Sequence, residues 1–315
     1  MSQYTLPFTK LTKKQVGLAG GKGANLGEMT AAGLPVPAGF VILATAFNRF
    51  LEETDINVEI EAELNRLNYR DLTSVDRFSH EIRDVIHRAA LPPDLKKEFL
   101  ATFDHLKAPF VAVRSSATAE DSQVASWAGE LETYLFIKRG NFLKTVKRCW
   151  SSLFTPRAIF YRFEKKLHRT EVSVAVVVQQ MVNSEKSGVC FTVHPVTKDR
   201  NQMVIEAGWG LGEAIVSGMI TPDTYVVSKR ERTILDINIS HQEKMVVAKP
   251  PAGGTRVVTV KKTEQDRQIL SGQQILELAD ICQRIERHYN SPQDIEWALE
   301  SNKFCITQTR PITTL

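Results

Sequence analysis

The sequence predicts an α+β fold, and three observations lead there. Helical periodicity dominates as far as Leu106, and β-prone apolar runs dominate from Phe110 onward. The two patterns also mix without the strict alternation that marks a parallel α/β sheet. Because the change falls at Lys107-Ala108-Pro109, the chain is expected to divide into a helix-rich segment, 1–108, and a strand-rich segment, 109–315. Its 315 residues suffice for two such units at roughly 100–200 residues each.

The elements follow in order. After a glycine cluster, Ala24–Ala32 reads as a short helix ended by Gly33, with Pro35 and Pro37 beyond it. Thr45 is expected to cap a helix running to Glu53. Val75–Ala89 and Pro92–Leu106 come next, the second opened by two prolines where a missing N–H costs little. Strands are then expected at Phe110–Val113, Glu132–Ile137, Val172–Met181, Val189–Val193, Met203–Glu206 and Tyr225–Ser228. Helices interrupt them at Asn141–Phe154, Pro156–Lys166, Leu211–Ser217 and Ser271–Tyr289. Thr233–Ile239, Lys244–Ala248 and Arg256–Val260 read as a meander at a sheet edge. Asp294–Ala298 and Phe304–Arg310 read as a hairpin turned at Glu300-Ser301-Asn302-Lys303.

Composition narrows the class. At 43% hydrophobic and 24% charged residues, disordered and fibrous chains are excluded. Forty Lys+Arg against 36 Asp+Glu leaves +4, which suits a polyanionic small ligand and is too weak and dispersed for nucleic acid. The four cysteines form no CxxC pair, which argues against a zinc site or disulfide framework and fits a reducing compartment. The first fifteen residues lack the apolar core of a signal peptide, and Val172–Val178 is too short to span a bilayer. A soluble cytoplasmic protein with neither a membrane nor a nucleic-acid partner is expected.

Five constellations could carry chemistry. In Gly20-Gly21-Lys22-Gly23, backbone N–H groups and a mobile ammonium suit an anion, although Gly23 after the lysine breaks the Walker A pattern; a plain glycine-rich turn is the alternative. Arg114 ends an apolar strand before Ser115-Ser116-Ala117-Thr118, where a guanidinium can grip phosphate oxygens; an ordinary polar loop is the alternative. Val176 to Val182 is either a core strand with an exit loop or a connector whose backbone reads an adenine edge with Met181 on the ring. Gly208-Trp209-Gly210-Leu211-Gly212-Glu213 does not complete a dinucleotide fingerprint, but Glu213 could cap its helix or hold a ribose hydroxyl. Finally, Asp294 and Glu296, and Gln308 and Arg310, are each spaced i, i+2, on one face of a strand. Paired, they would gather oxygen ligands for Mg2+ beside a phosphate-binding arginine; a salt bridge across the hairpin is the alternative.

Taken together, GGKGANLGEM, VRSSATAEDS with WAGELETYL, VVVQQMV, FTVHPVT, GWGLGEAIVSGMITPDTY, DIEWAL and ITQTRP occur in a fixed order. The chain closely resembles the N-terminal ATP-binding domain of phosphoenolpyruvate synthase, shared by pyruvate, phosphate dikinase and the rifamycin phosphotransferases, from about Leu11 to Pro311. The resemblance implies an ATP-grasp fold of two α+β subdomains. It implies that Lys22 and Arg114 bind ATP phosphates under a loop around Gly129 and Thr133. Gln179, Gln180, Met181 and Val182 would form the adenine hinge, and Glu213 would face the ribose. Glu296 and Gln308 would hold Mg2+ with Asp294 in support, and Arg310 would stabilise the transferring phosphoryl group. Two residues depart from the pattern: Lys198 stands where the family commonly has glycine, and His194 where Asn or Asp is usual. The implied reaction passes phosphate to a histidine on another domain or subunit, and from there to pyruvate bound by a further domain. Neither a phosphohistidine motif nor a pyruvate domain is found in this sequence. A rifamycin phosphotransferase and a non-catalytic nucleotide-sensing subunit are the competing readings.

Overall fold

The computed structural model describes residues 4–118, 132–166, 172–250 and 253–313. Helix and sheet are mixed, as an α+β fold requires. The chain divides into two compact units, Met1–Glu28 with Ala38–Met181, and Met29–Pro37 with Val182–Leu315. The boundary expected near Lys107–Pro109 falls inside the first unit. Composition changes wherever a helix gives way to a strand, whereas a unit is set by which segments pack together.

The first unit contains β1 (Thr5–Pro7), most of α1 (Val16–Ala31), β2 (Gly39–Ile42), α2 (Ala44–Glu53), α3 (Ile56–Arg66), α4 (Leu72–Arg88), α5 (Pro93–Leu106), β3 (Val111–Ala117), β4 (Thr133–Ile137), α6 (Arg139–Ser151), α7 (Pro156–Glu164) and β5 (Val174–Gln180). Its five strands pair antiparallel in the order β1-β2-β5-β3-β4. Helix α6 packs on β3, β4 and β5 and against α4 and α5. Its Trp150 is fully buried, stacked on Phe50 at 5.0 Å and flanked by Phe47 at 5.5 Å and Phe99 at 6.2 Å. These rings form the centre of the helical layer. Helix α2 begins one residue before the expected cap: Leu43 is its N-cap, and Thr45 lies in its first turn.

The second unit contains β6 (Lys186–Phe191), β7 (Gln202–Trp209), α8 (Glu213–Val216), β8 (Asp223–Ser228), β9 (Thr233–Asn238), β10 (Lys244–Ala248), β11 (Thr255–Thr259), α9 (Gly272–Tyr289), β12 (Gln293–Glu300) and β13 (Lys303–Pro311). Six strands pair antiparallel in the order β13-β12-β6-β7-β8-β9, with β9 at the edge. The expected meander is broken after β9, because β10 and β11 pair with each other as a separate ribbon. The buried Gln242 turns the chain there, its Nε2 donating to Ala207 O at 3.1 Å.

Register sorts the two faces of this sheet. Residues directly opposite on antiparallel strands share a face, and neighbours along a strand alternate. The row Ile295–Cys190–Ile205–Tyr225 is wholly buried, and α9 packs against four of the sheet's strands. The next row, Gln308–Glu296–Val189–Glu206–Thr224, therefore faces the other way.

The FTVHPVT loop explains both departures from the family pattern. His194 Nδ1 accepts the N–H groups of Val196 and Thr197 at 3.3 and 3.2 Å, the local bonding that Asn or Asp supplies in such turns. Lys198 sits at φ +59, the left-handed region that glycine occupies without steric cost, and its N–H closes the loop on His194 O at 2.8 Å.

Candidate active site

In the first unit, Lys22 lies in α1, which is interrupted at Gly20 by φ +67 and ψ 171. A Cβ on Gly20 would sit 2.1 Å from Ser116 Oγ and 2.5 Å from Ser116 O, so the glycine lets this turn press against β3. Ser116 Oγ also accepts the Gly23 N–H at a long 3.4 Å. Arg114 is two residues before Ser116 and therefore on the same strand face. Val41, Val177, Arg114 and Thr133 form one cross-strand row on that face, and Gly23 packs against Val41 there. The fold thus brings the Lys22 turn to the sheet face that carries Arg114, with Thr133 directly opposite the arginine. Arg114 is only 7% exposed, whereas Lys22 is half-buried and Thr133 exposed. The segment before Thr133 is anchored by Glu132, whose main-chain oxygen accepts the N–H and Oγ–H of Ser115. Gly129 lies outside the described residues.

Gln179 belongs to the same face, two residues beyond Val177. It is 2% exposed, and its Nε2 has no hydrogen-bond partner among the described residues. A buried, unsatisfied amide costs about 1–3 kcal/mol and is what a nucleotide acceptor would relieve. The backbone of the connector is partly committed: the Gln180 and Met181 N–H groups donate to Ala38 O and Phe110 O at 2.8 and 3.1 Å. Gln180 is exposed and Val182 buried.

In the second unit, the predicted hairpin forms with the expected turn. Ser301 and Asn302 have φ of +48 and +59, the two positive values a two-residue type I′ turn demands. Asp294 stands opposite Arg310, and Glu296 opposite Gln308. A bulge follows the second pair, where Trp297 faces Ile306, and the extra residue, Thr307, donates its hydroxyl to Glu296 O at 3.2 Å. Arg310 Nε and Nη2 both donate to Asp294 Oδ2, at 2.8 and 2.7 Å. Burial raises the Asp294 carboxyl above its ordinary value; the Arg310 charge and hydrogen bond oppose this, and Glu296 adds to it. Asp294 thus makes the cross-hairpin salt bridge, while Glu296 and Gln308 stand opposite one another as a carboxylate and a carboxamide. Among the described residues no three His, Cys, Asp or Glu side chains cluster closely enough to hold a metal. A hard cation here would depend on carboxylate and carboxamide oxygens together, which is an acceptable donor set for Mg2+.

Glu213 opens the four-residue α8 and is exposed, where its charge complements the helix N-terminus. Sequence reasoning missed Glu206, which shares the row of Glu296 and Gln308. Strand alternation around it was legible, but the pairing of β6 with both β7 and β12 was not. Among the described residues, no helix is long and apolar enough to cross a membrane.

Comparison with known proteins identifies the family. Residues 16–315 match the family model described as pyruvate phosphate dikinase, AMP/ATP-binding domain. A probable phosphoenolpyruvate synthase of Methanocaldococcus jannaschii is 47% identical over 313 residues, covering 97% of this chain and 26% of that protein. One from Methanothermobacter thermautotrophicus is 43% identical over 322 residues, covering 100% of this chain and 47% of the relative. A rifampicin phosphotransferase of Bacillus subtilis is 38% identical over 320 residues, covering 100% of this chain and 36% of the relative. The chain therefore spans less than half the length of each of these relatives.

Proposed function

The chain belongs to the family of pyruvate phosphate dikinase AMP/ATP-binding domains, and from that membership we propose that it is the ATP-handling module of a phosphoenolpyruvate synthase-type enzyme with an ATP-grasp fold. In this reading Mg-ATP gives up phosphoryl groups to a histidine on another domain or subunit, and pyruvate is the final acceptor. The observation that carries the proposal is the register of the terminal hairpin, which sets Glu296 beside Gln308 and Asp294 beside Arg310.

Each residue then has a physical task. Lys22 and the nearly buried Arg114 offset phosphate charge, the guanidinium by bidentate hydrogen bonds. Thr133, directly opposite Arg114, donates its hydroxyl to the phosphate chain. Gln179, with Met181 and Val182, receives the adenine; because the Gln180 and Met181 N–H groups are already engaged, the Gln179 amide and the remaining backbone groups read its edge. Glu213 accepts from the ribose. Glu296 and Gln308 would hold Mg2+, which would supply positive charge to offset that of the phosphates. Asp294 fixes the guanidinium of Arg310, which faces the charge that develops on the transferring group. Catalysis here is positioning and electrostatics, with no covalent step on these side chains.

Calorimetric titration of the chain with a non-hydrolysable ATP analogue, with and without Mg2+, tests the reading. Binding that strengthens with Mg2+, loses that gain in Glu296→Gln and weakens in Lys22→Gln is the expected outcome. Absence of binding under both conditions would overturn it. Transfer to an antibiotic is the second reading, motivated by the rifampicin phosphotransferase at 38% identity; the higher identity to phosphoenolpyruvate synthases favours pyruvate. A non-catalytic nucleotide sensor would bind the analogue but give no phosphorylated histidine when mixed with ATP and a phosphohistidine domain.

A further inference from the structure

We infer that Glu206 is a third carboxylate of the cation-binding face, a positioning residue that holds the water shell of the Mg2+ taken by Glu296 and Gln308. The inference rests on the reading of that hairpin given above and extends it by one residue on a different strand.

The geometry comes from register. Glu296 of β12 is opposite Val189 of β6, and Val189 is opposite Glu206 of β7, so the two glutamates point to the same side of the sheet with one strand between them. Two strand spacings of ~4.8 Å place their α-carbons ~10 Å apart. Mg2+ usually keeps several of its six waters, so a carboxylate at this remove acts on a bound water and not on the ion itself.

Its surroundings give no other reason for a charge. Val189 and Val204, its neighbours across and along the sheet on this face, are 9% and 5% exposed. Glu206 is half-buried beside them. Asp294 has Arg310, Glu286 has Lys229 and Glu132 has Arg83. By contrast, the Glu206 carboxylate has no hydrogen bond or ion pair among the described residues. Burial, and then the charge of Asp294, push its carboxyl above the ordinary glutamate value. A carboxylate that is drawn from water, given no cationic neighbour and set within range of another acid is disfavoured unless a cation joins it. The nearest cation that this face would take is the one between Glu296 and Gln308.

The test separates cation affinity from nucleotide affinity. Mn2+ replaces Mg2+ as an electron paramagnetic resonance probe and is titrated onto the full chain with a non-hydrolysable ATP analogue. Loss of a residue that orients a metal's ligands commonly costs 10–100-fold in metal affinity. Glu206→Gln is therefore expected to weaken Mn2+ binding about tenfold or more. Affinity for the analogue without metal should stay within about twofold of wild type, and Glu206→Asp should recover part of the loss. Mn2+ affinity within about twofold of wild type in Glu206→Gln, while Glu296→Gln is weakened, would overturn the inference and leave the parent reading intact. Wild-type chain that takes up no Mn2+ with the analogue would overturn both. Should Glu206→Gln not fold, Glu206→Thr, which repeats the residue next in the row, carries the same expectation and decides the matter.

Discussion

Replacing Gly20 by alanine tests the packing that delivers Lys22, and Gly33 supplies the control. Both glycines have φ +67, but their surroundings differ. Gly20, with ψ 171, occupies a region that is essentially closed to other residues, at a cost of about 1–3 kcal/mol. Its new methyl would also lie 2.5 Å from Ser116 O and 2.7 Å from Ser116 C, which are backbone atoms of β3 and cannot rotate away. Relieving that overlap costs a further ~1–3 kcal/mol. The stiffer unfolded chain returns about 0.4–1 kcal/mol, leaving a net loss near 3 kcal/mol. At Gly33 nothing lies within 4 Å of the added methyl. Only the left-handed backbone is strained, by ~1–2 kcal/mol, so the net loss there is about 1 kcal/mol. Urea denaturation followed by both circular dichroism and tryptophan fluorescence measures the two differences, with two probes because the two units need not unfold together. Affinity for the ATP analogue should fall more than about tenfold in Gly20→Ala, since β3 and the Lys22 turn can no longer seat against each other, and stay unchanged in Gly33→Ala. Equal destabilisation by the two substitutions would refute the argument that contact with Ser116 sets this turn.

Two further outcomes follow from local chemistry. His194→Ala removes an acceptor for two backbone N–H groups and should cost about 1 kcal/mol, as the loss of a cap does, while His194→Asn should stay within about 0.5 kcal/mol of wild type by urea denaturation. His87, hydrogen-bonded through Nε2 to Ser151 Oγ at 2.8 Å, has its pKa lowered chiefly by burial and also by the charge of Arg83. The unfolded chain then binds the proton more readily than the folded one, so this group's contribution to stability rises with pH between the lowered folded value and ~6.5 and is flat above. The urea midpoint should fall less between pH 7.5 and pH 5.5 in His87→Gln than in wild type; parallel pH profiles would refute the assignment.

What could be read in advance was what depends on short-range pattern. The hairpin at 294–310 was legible because i, i+2 spacing fixes a face and the polar stretch Glu300–Lys303 separates two apolar runs, whereas its register came only from the pairing itself. Helices α4, α5, α6, α7 and α9 were legible from their amphipathic spacing, and β7 and β8 from apolar runs, each within a few residues of the observed ends. Strands β1 and β2 were not, since three and four residues are too few to display alternation. Helix α3 was missed because Asp55 precedes it in a left-handed conformation and offers no side-chain cap. The unit boundary was misplaced because Met29–Pro37 joins residues beyond 181, a pairing remote in sequence that no local composition reveals. Glu206 was hidden for the same reason: its face was deducible, but its row partners belong to strands far along the chain.

The hairpin also gives two carboxylates two residues apart different cross-strand neighbours. Asp294 and Glu296 are both carboxylates on one face, and sequence alone gives them the same standing. Cross-strand pairing separates them. Asp294 meets a guanidinium and spends one oxygen on two of its nitrogens, so its charge acts through the orientation of Arg310. Glu296 stands opposite Gln308, whose carboxamide is neutral and carries both a donor and an acceptor. A shift of the register by one residue would put every one of these groups on the opposite face, among the buried row that includes Ile295 and Cys190. The buried row thus holds the register, and the register decides which carboxylate stands opposite an arginine and which opposite a carboxamide.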